Sequence, residues 1–296
     1  MIRLLYTFIF ASLVASSRAG ETTTELTRTQ IVHTFSPVKE LKNEKKISLL
    51  WTWQIHNPTD KVKKDIVFKG FLPMLKAPGQ RLTQVKFSRA AAIRTDELGH
   101  ALAELHLDAI APYDSVRLDI QAEVCLHPEL PAPVWSSENA LMPSPFVESS
   151  FPEIMALAST LKTPEAASLW VGKNIRSLTP YAETLGASRC LDKKEGDCTE
   201  RACLMTALCR AQKHPALPVF GFIVARSGQL SAFTAHDCLY LARDKVWQRQ
   251  EPGAKEGALP PFIAFRLIGS SASTLLGGEV RHRCSDPDLE ITMNPK

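Results

Sequence analysis

The chain has 296 residues, 45% of them hydrophobic and 22% charged, with a formal net charge of +4. This is a globular composition that excludes a disordered chain, and the length suits two domains. The charge is weak and no basic stripe is interleaved with aromatics, so nucleic acid is excluded as a partner.

The opening stretch, MIRLLYTFIFASLVASSRAG, reads as a secretory signal peptide over residues 1–19. Arg3 supplies the positive start, Leu4 to Val14 an apolar run of 11 residues, and Ser17 and Ala19 the small residues before a cut. The run is short of the roughly 20 residues a membrane span needs. The expectation is an exported protein, periplasmic or secreted, with no membrane span after cleavage; an uncleaved anchor is the alternative. Losing Arg3 and Arg18 brings the mature charge near +2.

Residues 21–130 read as strands. ISLLWTWQIHNPT alternates Leu49, Trp51, Trp53 and Ile55 against Leu50, Thr52 and Gln54, then stops at Asn57-Pro58. DIVFKGFLPML, LTQVKFS, ALAELHLDAI and SVRLDIQAEVCLH continue the pattern, with turn signals between them. An antiparallel, sandwich-like all-β domain is expected. Trp51 and Trp53 read either as core residues or as a platform for stacking a ligand.

Residues 131–151 read as a linker without a period, in a stretch that holds six prolines between Pro128 and Pro152. Residues 152–296 are then expected to form an α+β core, helices first and strands after. Thr163-Pro164-Glu165 opens a helix, with threonine as N-cap and proline at N1, and Leu169, Trp170, Ile175 and Leu178 give it part of an apolar face. A second helix follows Cys198, with Ala202, Leu204, Met205, Leu208 and Ala211 as its apolar residues, and ends before Pro215. PVFGFIVAR, AFTAHDCLYLA, KVWQRQEP and PPFIAFRLIG are the strands beyond it.

Seven cysteines leave at least one unpaired within a monomer. Five lie between Cys190 and Cys238 without CxxC spacing, which fits a zinc ribbon poorly. Cys203 and Cys209 fall within the helical pattern as small core residues. Cys198 differs, because it follows Gly196-Asp197 at the start of a helix. Backbone N–H groups and the helix dipole there stabilise thiolate over thiol, while Asp197 and Glu200 oppose it. A proton-accepting partner is therefore needed. His236 lies in a β-prone run, and Glu251 follows near the next strand, where a carboxylate can orient an imidazole. The candidate catalytic set is Cys198, His236 and Glu251. No acidic cluster has calcium-loop spacing, so neither metal nor cofactor is expected.

The order Gly-Asp-Cys, helix, Pro-x-x-Pro, strand, His, Trp and acid before Pro resembles the transglutaminase-like superfamily, whose core is papain-related. Residues from about Pro152 to Pro252 carry the resemblance, through Gly196, Cys198, Glu200, Ala202, Leu204, Ala207, Leu208, Arg210, Ala211, Pro215, Ala216, Gly221, His236, Trp247 and Pro252. It implies a thiol enzyme acting on peptide or amide bonds of a peptide or protein substrate, with a β-domain preceding the core. Hydrolysis is favoured over transamidation on a separate ground: an exported protein meets abundant water, and cross-linking needs a bound amine. Cys238 stands where the family usually has tryptophan, Tyr240 where it has an acid, Glu251 where it has aspartate, and Lys213-His214 where glycine and an apolar residue are common. These departures keep two other readings open: a non-catalytic binding module on the same fold, and a structural protein in which Cys198 is bridged to Cys190 or Cys238. The loop from Glu251 to Phe262 reads as a connecting loop or a flap over the site.

Overall fold

A computed structural model describes residues 31–35, 41–131, 133–179, 185–224, 230–242, 245–253, 260–268 and 282–295, with the side chains of 230–236 and 295 left out. The signal-like residues 1–19 and residues 254–259 of the loop after Glu251 lie outside this description.

The first eight strands are β1 (Ile31–Thr34), β2 (Lys45–His56), β3 (Lys63–Leu72), β4 (Lys76–Ala77), β5 (Gln80–Phe87), β6 (Ala92–Thr95), β7 (Ala101–Ile110) and β8 (Ser115–Leu126). The core follows as α1 (Pro152–Leu161), α2 (Pro164–Asn174), β9 (Arg176–Ser177), α3 (Ala187–Lys193), β10 (Glu195–Gly196), α4 (Cys198–Ala211), β11 (Ala216–Val224), β12 (Leu230–Leu241), β13 (Trp247–Gln250) and β14 (Phe262–Leu267). The chain ends with β15 (His282–Cys284) and β16 (Glu290–Pro295).

Two antiparallel sheets form the β-domain, in the orders β1-β5-β8-β2-β16 and β15-β3-β7-β6. Alternation in β2 sends Leu49, Trp51, Trp53 and Ile55 into a shared core with Ile66 and Phe68 of β3. Trp51 is 0% and Trp53 3% exposed, so neither is a surface platform. The expected core of 152–296 is corrected at its end. β16 pairs with β2 from Ile291↔Ile55 to Asn294↔Thr52, and β15 pairs with β3. These last strands complete the β-domain, a pairing across more than half the chain that no local pattern encodes.

The core sheet has the order β13-β12-β11-β14. α4 packs on β11 and β12 and is surrounded by α1, α2 and α3. Every residue from Ala202 to Arg210 is accordingly buried, so the expected apolar stripe is a central helix buried nearly all round. The two domains share apolar interior: Phe220, Phe222, Ile263 and Phe265 join the cluster that holds Trp51. The free edge of β14 is covered from the β-domain. The Gln80 side chain donates to Ala264 O at 3.0 Å and accepts from Ala264 N at 2.7 Å, and Met74 N donates to the same carbonyl. His100, held by Asp96 at 2.8 Å, accepts from Leu267 N at 3.0 Å.

The segment expected as a linker is packed against the core rather than extended away from it. Trp135 and Val147 are buried, and Ala216 N donates to Ala140 O. Arg210, 3% exposed, donates to Met142 O, Ser144 Oγ and Ala216 O, which satisfies a guanidinium that burial would otherwise make costly.

Candidate active site

Cys198 is the first residue of α4, and it is partly exposed. Asp197 is the N-cap, with its Oδ1 accepting from Thr199 N at 2.6 Å. Glu200 completes a capping box by accepting from Asp197 N at 3.1 Å through Oε2, and its Oε1 accepts from Leu185 N at 3.0 Å. The chain can turn this tightly because residue 196 is glycine. A Cβ there would lie 2.7 Å from Glu200 Cβ and 3.1 Å from Cys190 Sγ.

Asp197 and Glu200 are both buried, at 4% and 1% exposure. Burial, then the neighbouring Asp197 carboxylate, pushes the Glu200 carboxyl up to about 7. Two N–H donors on Glu200 work the other way. At neutral pH the start of α4 therefore carries less negative charge than its sequence suggests, which favours a thiolate at Cys198.

Position 236 lies in β12, opposite Phe220 of β11. Further along the same strand, Cys238 and Tyr240 pack in one apolar cluster with Met205, Leu208 and Cys209 of α4. The His236 side chain lies outside the described residues. Glu251 is the residue after β13, whose last pair sets Gln250 opposite Cys238. The fold thus brings the elements carrying all three candidates into neighbouring positions: α4 on β12, and β13 beside β12.

Sequence reasoning missed what holds Glu251. Ser168 of α2 is 1% exposed, and its hydroxyl uses its full capacity on this turn. It donates to Glu251 O at 3.1 Å and accepts from Gln250 Nε2 at 3.1 Å and Gly253 N at 3.2 Å. Gly253 has φ +95°, and a Cβ on Gly172 would meet its Cα at 2.3 Å. α2 therefore turns Ser168 and Gly172 toward this turn, while Ala167 and Val171 pack into the apolar core. That corrects its expected apolar face: Leu169 is 53% exposed, and Ile175 lies past the helix end. Thr163 does cap the helix, accepting from Ala166 N.

Asp237, the neighbour of position 236, was also missed. It is 4% exposed and paired with Arg249 at 3.3 Å. Burial pushes its carboxyl up to about 6, against the pull of Arg249. Arg249 in turn donates to Pro260 O at 2.7 Å and lies over the Phe262 ring, tying β13 to the start of β14. Trp247, by contrast, packs edge-on against Trp135 at 5.0 Å, on the linker side.

None of the seven cysteines is disulfide-bonded in the structure. Cys238 lies in the apolar cluster that holds Cys209, which is eleven residues and about 16 Å along α4 from Cys198. Among the described residues no cluster of three or more His, Cys, Asp or Glu could hold a metal ion, and no helix is long and apolar enough to cross a membrane.

One family model and several solved structures are similar to parts or most of this chain. The transglutaminase-like superfamily matches over residues 154–252. No curated protein matches the chain. Among solved structures, a candidate cysteine protease from Cytophaga hutchinsonii is similar over 90% of this chain and 92% of its own, at 13% identity and a TM-score of 0.60. That likeness is one of fold, and its extent takes in the β-domain as well as the core. The periplasmic domain of TgpA from Pseudomonas aeruginosa aligns with 73% of this chain and 94% of its own, at 14% identity and a TM-score of 0.38. Residues 154–252 of this chain form a transglutaminase-like domain.

Proposed function

We propose that the chain is an exported thiol enzyme that cleaves peptide or amide bonds, with Cys198 as nucleophile, His236 as base and acid, and Glu251 as the group that orients the imidazole. The observation that carries this reading is the position of Cys198 as first residue of a central helix packed on the strand of His236. Cys198 Sγ attacks the substrate carbonyl while His236 takes the thiol proton. The tetrahedral intermediate collapses to a thioester, and His236 delivers the proton to the departing amine. Water, deprotonated by His236, then attacks the thioester, releasing the acid and restoring the thiol. The Cys198 backbone N–H, at the first position of the helix, serves as an oxyanion donor.

A second reading, a binding module on the same fold, is favoured by the two buried carboxylates at the helix start. If both ionise they hold the thiol protonated. Alkylation of Cys198 by iodoacetamide across pH decides between the two. The enzyme reading expects reaction well below pH 7, lost in His236→Ala. Reaction only above about pH 8.5, as for an ordinary thiol, overturns it and leaves the binding module.

A further inference from the structure

The fold closes one edge of the core sheet and leaves the other open. At β14 the Gln80 side chain, Met74 N and His100 pair the outward groups of Ala264 and Leu267. β13 is the opposite edge, and among the described residues no strand pairs with its outer side. Its register decides which groups face outward. Ala242 N donates to Val246 O and Lys245 N to Ala242 O, so the hairpin closes on Ala242, with Lys245 at φ +63°. Hydrogen-bonded pairs recur at every second residue from there, at Tyr240↔Gln248 and Cys238↔Gln250. Leu241 N, which falls between them, donates the other way, to Pro215 O. Trp247 and Arg249 therefore turn their backbone N–H and C=O away from β12, and among the described residues no backbone group meets them there.

The same two residues line a cavity of about 850 Å³ between β13 and the segment from Pro128 to Ser137. Leu130 and Trp135 line it as buried apolar side chains, Val134 and Val246 as exposed ones. Pro131 and Pro133, also in its wall, have no N–H with which to pair the carbonyls of the edge. We infer that the outer edge of β13 docks an extended segment of another protein, which adds a strand to the four-stranded core sheet and sets apolar side chains at alternate positions into this groove. Trp247 and Arg249 each offer one donor and one acceptor, roughly 7 Å apart along the strand, and a second extended backbone carries the complementary pair at the same spacing. A second copy of this chain fits less well. Its own β13 would bring Trp247 and Arg249, whose side chains are engaged with Trp135 and Asp237, and would leave the groove unfilled. The docking rests on the sheet edge and is independent of whether Cys198 acts as a nucleophile.

The test reads the two amides directly. In the free full chain, NMR is expected to show the Trp247 and Arg249 N–H groups exchanging with deuterium about tenfold faster or more than those of Gln248 and Gln250. Random octapeptides displayed on phage are then selected on the same protein, and the enriched ones are synthesised as probes. They are expected to carry apolar residues at alternate positions and to slow exchange at both amides. Trp247→Pro removes one outward N–H and leaves the β12 ladder whole, so the probe's Kd should rise about tenfold or more. Val134→Asp sits at a fully exposed position, keeps the fold, and should weaken the probe to a similar degree. Protection of both amides in the free chain means that a segment of the chain itself fills the edge, and protection that grows with protein concentration means that a second copy does. Either result overturns the proposal. So does a library that yields no peptide protecting these amides, or a probe whose affinity Val134→Asp leaves unchanged.

Discussion

Arg201, one turn beyond Cys198 on α4, donates to the Pro252 carbonyl at 3.0 Å. The helix that begins at the candidate nucleophile is therefore bonded directly to the turn that carries the candidate acid. Ser168 fixes the same turn from α2 through three hydrogen bonds. The two candidates are set by one assembly of α2, α4 and the end of β13.

Ser168→Ala leaves the Glu251 carbonyl without that donor and Gly253 N and Gln250 Nε2 without that acceptor, around a hydroxyl that is itself buried. The expected loss is about 1–3 kcal/mol of stability, seen as a lower urea midpoint at unchanged slope. A shifted Glu251 also orients the imidazole less well, so the pH profile of Cys198 alkylation should move upward by a fraction of a unit or more. A stability loss with an unmoved profile would show that Ser168 serves the fold and not Glu251.

Glu200 makes stability depend on pH, with a sign that follows from its raised carboxyl. In the folded chain it titrates at about 7, against about 4.3 in an unfolded chain. Between these values the folded state holds the proton more tightly. Its contribution is full below about pH 4.3 and is lost as pH rises through 7, on the order of 3 kcal/mol in all. Glu200→Gln should flatten the fall in unfolding free energy between pH 4.5 and 7.5, measured by urea titration at each pH. It should leave Cys198 alkylation well below pH 7 unmoved, because Glu200 is already protonated there.

Lys213 is a third test. It has φ +66°, the left-handed region that costs a side chain and suits glycine. Its N–H donates to Arg210 O and that of His214 to Cys209 O, the double closure of a Schellman motif. Lys213→Gly is expected to stabilise the protein by about 0.5–1 kcal/mol with no change in Cys198 reactivity. Calorimetry and alkylation together check both halves.

The course of the central helix and of the strands around it was legible because its signals are local. Gly196-Asp197-Cys198 marks a turn into a helix, and β11, β12 and β13 are bounded by proline and glycine. Ser168 was not legible. A serine within a helix has no signature, and its role is set by a turn 83 residues away. α3 spans only seven residues, too short for a hydrophobic period to show. Leu169 looked like a core residue, yet α2 turns Ser168 and Gly172 toward the Glu251 turn, which comes close. β15 and β16 are short strands whose partners lie more than 200 residues earlier, and strand pairing at that distance leaves no trace in sequence pattern.

The same non-local logic gives the last prediction, on how the β-domain holds the core. Gln80 is 2% exposed; its amide bonds both sides of the Ala264 peptide and also donates to Met74 O at 3.2 Å, closing the edge of the core sheet at β14. Gln80→Leu keeps the volume but removes all three bonds. Ala264 O retains Met74 N, whereas Ala264 N loses its acceptor inside a closed interface. The expected cost is about 1–3 kcal/mol, concentrated on one edge. Hydrogen exchange should then quicken in β14 and in residues 74–80 before it quickens in α4. Uniform acceleration across the chain would mean instead that β-domain and core unfold as one unit, which their shared cluster of Trp51, Phe220 and Phe265 also permits. In that case the edge contact adds stability without creating a boundary, and the variant should show a single transition at a lower urea midpoint.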